Sequence, residues 1–285
     1  MTAEALSPEP VSGRVLILLD GSRLSLSALE AAAEIAHTRK AEVLGIFVEE
    51  VNLLRSAGYG FTREVGASSG VARPLDSAAI EARMRSLAEQ ARRSLEQVMA
   101  RRGLTQALTL CRGRVAEEVL NLVRPEDLLV MGRVGWSGIP GVRLGSTARI
   151  LVRQAPGDVL LWADPPTRSQ NRVVVLLNHD QGANHRAVRV GAELARRKQE
   201  PLTVLVRTET GEDKRVAEDL LSYLQSEGLS ARVSLLPMAS AGAVARVIWA
   251  EGASQLVLSR QCSLFREQGA EALLTELNLP VTVTP

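Results

Sequence analysis

Five glycines stand close together near the middle of the chain, at Gly132, Gly135, Gly138, Gly141 and Gly145, and Ser146 and Thr147 follow at once. The chemistry this spacing permits is phosphate binding. A backbone lying against a phosphate chain must turn its N–H groups inward with no Cβ in the way, which glycine allows. The apolar run Leu128 to Met131 predicts a buried strand before the loop, and a helix is predicted to open at Gly145-Ser146-Thr147. A helix start supplies unpaired N–H groups and the positive end of the dipole. Ser146 and Thr147 are placed to cap that helix or to offer a hydroxyl to a phosphate oxygen. From glycine content alone, a flexible connection is the competing reading.

Other residues invite weighing. Arg14 to Leu19 is a continuous apolar run ending at Asp20-Gly21-Ser22, so Asp20 falls at the carboxyl end of a predicted strand. Open α/β sheets bind ligands there, and capping of the next helix is the alternative role. Arg133 and Arg143 are candidates to neutralise phosphate charge, or else exposed loop residues. Asn178-His179-Asp180 and His185 could suggest a metal or acid/base cluster. With no further His or Cys nearby in sequence, a polar surface loop is the better reading. Cys111 and Cys262 lack zinc or redox spacing and are expected to be buried thiols. No catalytic or metal-ligating set is predicted.

The 285 residues suit two domains of about 140 each. Hydrophobic residues make up 46% and aromatics only 3%, so the cores must be built from Leu, Val, Ala and Ile. That favours α/β layering with parallel strands buried on both faces. Thirty-four basic against 32 acidic residues give a net charge of +2, which supports neither a nucleic-acid nor an anionic-membrane partner. Residues 1–12 carry two prolines and no apolar signal core, and are expected to be a disordered lead. Without a membrane-length apolar run or a disulfide framework, a cytoplasmic location is expected.

The elements that must position the glycine loop alternate. A helix is predicted over Leu24–Arg39 and a strand over Glu42–Val48. An irregular segment, Asn52–Pro74, follows and suits a lid or a partner surface. A long amphipathic helix is predicted over Leu75–Arg102, then a strand (Thr105–Cys111), a helix (Val115–Val123), the glycine-loop strand and helix, and a last strand (Val159–Trp162). Six arginines on the long helix are interleaved with glutamates, as on a solvated face. Such alternation predicts a parallel sheet with helices on both faces and right-handed crossovers.

Residues 164–171 read as a linker, after which the pattern restarts. Arg172–Asn178 lies over Arg14–Asp20, and Gln255–Arg260 over Leu128–Arg133. The expected architecture is therefore two tandem domains, 13–163 and 172–285, each with a five-stranded sheet. The second copy has lost the phosphate signature. Asn178 replaces Asp20, Ser259 replaces Gly132, Cys262 falls at Gly135, and Gly269-Ala270-Glu271 replaces Gly145-Ser146-Thr147. A carboxylate at Glu271 would repel phosphate, so phosphate binding is expected in the first domain alone.

The run Gly132, two residues, Gly135, nine residues, Gly145-Ser146 resembles the nucleotide motif of the universal stress protein family, and the repeat extends the resemblance over nearly the whole chain. The resemblance implies Rossmann-like domains related to the adenine nucleotide alpha hydrolases, binding ATP with or without Mg2+. It implies Asp20 and the backbone of Val48 on the adenosine side. Gly132, Gly135, Gly145 and Ser146 would lie along the phosphates, with Thr147 assisting. It further implies a stress-response or signalling role, an intrachain pseudo-dimer through the last strands, and association into a homodimer or with another protein. An adenylating enzyme fits less well, because Asp20-Gly21-Ser22-Arg23-Leu24-Ser25 lacks the glycine pair of that loop. Slow ATP hydrolysis and a nucleotide-free interaction module remain as alternatives.

Overall fold

The computed structural model describes residues 13–66, 69–135, 143–164, 171–177, 181–208, 213–226, 228–237, 240–266 and 269–285. In the N-terminal half the elements are β1 (Val15–Leu18), α1 (Arg23–Arg39), β2 (Val43–Glu50), α2 (Val51–Ala57), β3 (Arg63–Val65), β4 (Ala72–Pro74), α3 (Ser77–Ala100), β5 (Gln106–Gly113), α4 (Val115–Leu122), β6 (Leu128–Gly132), α5 (Ser146–Gln154) and β7 (Asp158–Trp162). The C-terminal half has β8 (Arg172–Leu177), α6 (Gln181–Lys198), β9 (Leu202–Thr208), α7 (Asp213–Ser226), β10 (Ala231–Pro237), α8 (Ala241–Ala250), β11 (Ala253–Ser259), α9 (Ser263–Arg266), α10 (Gly269–Glu276) and β12 (Val281–Thr284).

Ten of these strands form one sheet, in the order β5-β2-β1-β6-β7-β12-β11-β8-β9-β10. Within each half the pairings are parallel, and the first strand in sequence lies at the centre. The next two main strands lie to one side of it and the last two to the other. The halves meet where β12 pairs antiparallel with β7, with Val281 opposite Leu161 and Val283 opposite Val159. This is a mixed α/β structure of two tandem units around a mostly parallel sheet.

Burial follows the sequence pattern. β1, β8 and β11 are buried along nearly their whole length because helices cover both faces, and β1 and β8 are apolar almost throughout. α1 and α3 cover one face of the N-terminal half, where Leu29, Ala33, Leu95 and Met99 pack on Val15, Ile17 and Val130. α6 and α7 do the same in the C-terminal half. The opposite face is shared: Leu129, Leu151 and Leu161 belong to one core with Val174, Leu256, Leu273 and Val281. Among the described residues no helix is long and apolar enough to cross a membrane.

The segment read as irregular, Asn52–Pro74, departs from that expectation. It holds the helix α2 and the antiparallel pair β3–β4. Leu53 and Leu54 are half-buried under it, whereas Tyr59 and Phe61 are exposed and stack on each other at 5.5 Å. Short elements joined by tight turns leave no run of apolar residues long enough to announce them.

Asp127 pins the two central strands at their amino ends. Its buried carboxylate accepts from Arg14 Nη2 at 2.7 Å, Arg14 Nε at 3.2 Å and the Arg14 and Arg124 amides at 3.1 and 2.9 Å. Removing it takes the acceptor from four donors at once. We expect Asp127→Ala to lower unfolding free energy by about 3 kcal/mol in urea titration. A loss under about 1 kcal/mol would mean that water replaces the carboxylate.

Candidate functional site

β1 and β6 are neighbours whose onward connections leave in opposite directions, the crevice where open α/β sheets bind ligands. The carboxyl end of β1 delivers Asp20 to this crevice, and that of β6 delivers Gly132. Gly21 turns the chain at a φ of 77°, and a Cβ on it would stand 2.5 Å from Leu87 Cδ2. Asp20 Oδ1 accepts the Ser22 amide at 2.9 Å, while Ser22 Oγ caps α1 by accepting the Ser25 amide at 3.1 Å. Asp20 thus braces the turn, and Ser22 is the cap. A Cβ on Gly135 would stand 2.9 Å from Asp20 Oδ2, and one on Gly132 would stand 3.2 Å from Leu24 Cβ. The Gly145 amide donates to Arg133 O at 2.8 Å. Asp20, Gly132, Gly135 and Gly145, spread over 126 positions of sequence, are brought to one place.

Ser146 and Thr147 do not cap α5. The cap is Gly145, with φ −70° and ψ 158°; having no side chain it makes no side-chain cap bond, and its own amide donates to Arg133 O. Ser146 is exposed and Thr147 half-buried in the first turn, which contains no acidic residue. That helix start is electrostatically suited to an anion. Val48 lies two residues beyond Ile46, the last β2 residue paired with β1; it is half-buried, opposite Cys111. Arg143 is exposed. Gly138 and Gly141 lie outside the described residues.

Arg133 requires a correction, since it neither lies in solvent nor turns to the β1–β6 crevice. Only 3% exposed, its Nη1 donates to Leu277 O and, at 3.3 Å, to Leu279 O of the C-terminal half. Burial, with a smaller contribution from Arg143, lowers its pKa to about 10. Carbonyls past the last turn of α10 draw the guanidinium across the seam.

The matching crevice of the C-terminal half is filled differently. By strand register Arg207 stands where Val48 does, since Leu205 pairs with Leu176 as Ile46 pairs with Leu18. It is 1% exposed and its Nη1 donates to Ser263 Oγ, while Cys262 and Leu264 are buried beside it in sequence. Laying the two halves over each other at the second strand would have exposed this basic residue in an apolar run. Glu271, expected to repel phosphate, is instead paired with Arg153 of α5 at 2.8 Å and lies 3.8 Å from Arg149. Asn178, His179 and Asp180 lie outside the described residues. Cys111 is half-buried, and burial, aided by Glu118, raises its thiol pKa. Among the described residues no three His, Cys, Asp or Glu side chains gather to hold a metal ion.

The crevice also makes a stability statement. Gly21→Ala combines an unfavourable φ with a collision at Leu87, so we expect a loss of about 1–2 kcal/mol in thermal denaturation. An unchanged melting temperature would show that Leu87 and the turn adjust freely.

A search of curated proteins finds no significant match. Among solved structures, the chain is similar to a universal stress protein from Archaeoglobus fulgidus DSM 4304, at 15% identity and TM-score 0.72 over 96% of each chain. It is also similar to a putative universal stress protein from Pseudomonas aeruginosa UCBPP-PA14, at 15% identity and TM-score 0.62, over 96% of this chain and 94% of that one. At such identity these likenesses speak for the fold. In sequence, the model of the universal stress protein family matches residues 12–162, more than half of the chain. With its parallel sheets, repeated halves and glycine crevice, the chain belongs to the universal stress protein family.

Proposed function

We propose that the N-terminal half binds ATP at the β1–β6 crevice and that the protein works as a nucleotide-dependent stress-response or signalling module in the cytoplasm. The observation carrying this reading is the approach of Asp20 Oδ2 to Gly135, beside a helix start without a side-chain cap. A side chain at 135 would enter the space in front of that carboxylate, and a side-chain acceptor at the start of α5 would compete for its amides. The lack of both leaves room and donors for a phosphorylated ligand.

In this reading Asp20 accepts from ribose hydroxyls and the Val48 backbone meets adenine. Gly132, Gly135, Gly145 and Ser146 line the phosphates, the Thr147 hydroxyl assists, and exposed Arg143 supplies positive charge. Mg2+ enters as the counter-ion of the ATP phosphates. The C-terminal half takes no nucleotide, because its glycine motif is replaced and the residue at the Val48 place is a buried arginine bonded to Ser263.

Calorimetric titration of ATP into nucleotide-stripped protein tests this. One ATP per chain is expected, with Asp20→Ala weakening binding about tenfold or more, near 1.4 kcal/mol. Gly145→Glu should abolish binding by placing a carboxylate at the helix start. Two ATP per chain would refute the assignment of the C-terminal half. No binding would move the protein to a nucleotide-free interaction module.

A further inference from the structure

Arg133 and Arg260 occupy matching places, directly after β6 and β11. Each reaches out of its own half to carbonyls at the end of the other half's last helix. Arg133 Nη1 donates to Leu277 O and Leu279 O, past the end of α10. Arg260 Nε donates to Val152 O at 2.6 Å, Nη1 to Ala155 O, and Nη2 to Gly157 O at 3.4 Å, around the end of α5. A guanidinium suits this task, because its planar donors reach several carbonyls at once and its charge complements the negative end of a helix.

Both grips bear on the motif of the N-terminal half. Arg133 lies between Gly132 and Gly135, and its own carbonyl receives the Gly145 amide at 2.8 Å. Arg260 holds the far end of α5, whose start follows Gly145. The strand end and the helix that carry the glycine motif are therefore each tied to the C-terminal half by a different arginine.

We infer that the C-terminal half braces the nucleotide crevice of the N-terminal half through Arg133 and Arg260, two positioning residues that need not touch the ligand. The inference rests on the ATP reading for its ligand but not for its geometry. Other seam contacts, such as Val283 opposite Val159, join the halves without gripping the motif. They provide the comparison that separates bracing from general stability.

Hydrogen exchange of the ATP-free protein, at the amides of Val134, Gly135, Leu144, Gly145 and Ser146, is the primary readout. Arg133→Ala should speed exchange there about tenfold, whereas Val283→Ala, compared at the same margin below its own melting temperature, should change it less than about threefold. ATP affinity should fall about tenfold in Arg133→Ala and stay within about twofold in Val283→Ala. Arg260→Ala should shift both readouts in the same direction and carries the test if Arg133→Ala does not fold. Equal exchange in the arginine and Val283 variants would overturn the brace, as would unchanged ATP affinity in folded Arg133→Ala and Arg260→Ala. A wild-type protein that takes no ATP would remove the ATP reading, and the exchange comparison would still decide the brace.

Discussion

β7 and β12 lie side by side in opposite directions, and the rest of the architecture depends on that pairing. Each is the last strand of its half, and each is buried along almost its whole length. Separated, the halves would expose two apolar edges with unpaired amides and carbonyls, a template for aggregation. Paired, they extend two five-stranded sheets into one and close a single core over the face bearing α4, α5, α8 and α10. Salt bridges add a second layer at the seam, with Arg39 on Glu193, Arg186 on Asp158 and Arg153 on Glu271. The partly exposed ones contribute little individually. The strand pairing and the shared core hold the halves together.

On this nearly symmetric frame the two crevices differ by what fills them. In the N-terminal half the strand ends present a carboxylate, glycines and an open helix start. In the C-terminal half an arginine with 1% exposure occupies the Val48 place, and its Nη1 finds Ser263 Oγ. The two copies thus place different side chains at matching strand ends, while both serve the common core. The C-terminal copy completes the sheet, and a different arginine of it, Arg260, donates to the carbonyls around the end of α5.

Much of the fold was legible from the sequence because strand and helix periods differ and fully buried strands read as unbroken apolar runs. RVLILL and RVVVLL announce the two central strands, and their likeness announces the repeat. Asp20 and the glycines were also visible, since residue type and distance from a strand end are properties of the chain. α2 and the β3–β4 pair were not, because REV and ARP are exposed and not apolar runs, and seven residues are too few to show a helical period. The cap of α5 falls on Gly145 and not on the hydroxyls, where the Gly145 amide donates to the carbonyl of Arg133, twelve residues upstream.

The sequence by itself determined the α/β alternation, the duplication, and which copy keeps an intact glycine motif, because these follow from local pattern and residue type. Tertiary structure alone decided where the arginines go. Arg133 looked like a phosphate ligand or a solvent-facing loop residue, Arg207 passed unremarked, and Arg260 was only an aligned position. Long side chains with several donors seek carbonyls and hydroxyls that folding brings near. For Arg133 and Arg260 those partners lie more than one hundred residues away. No local pattern encodes such a partner, and only the antiparallel meeting of the two halves puts it within reach.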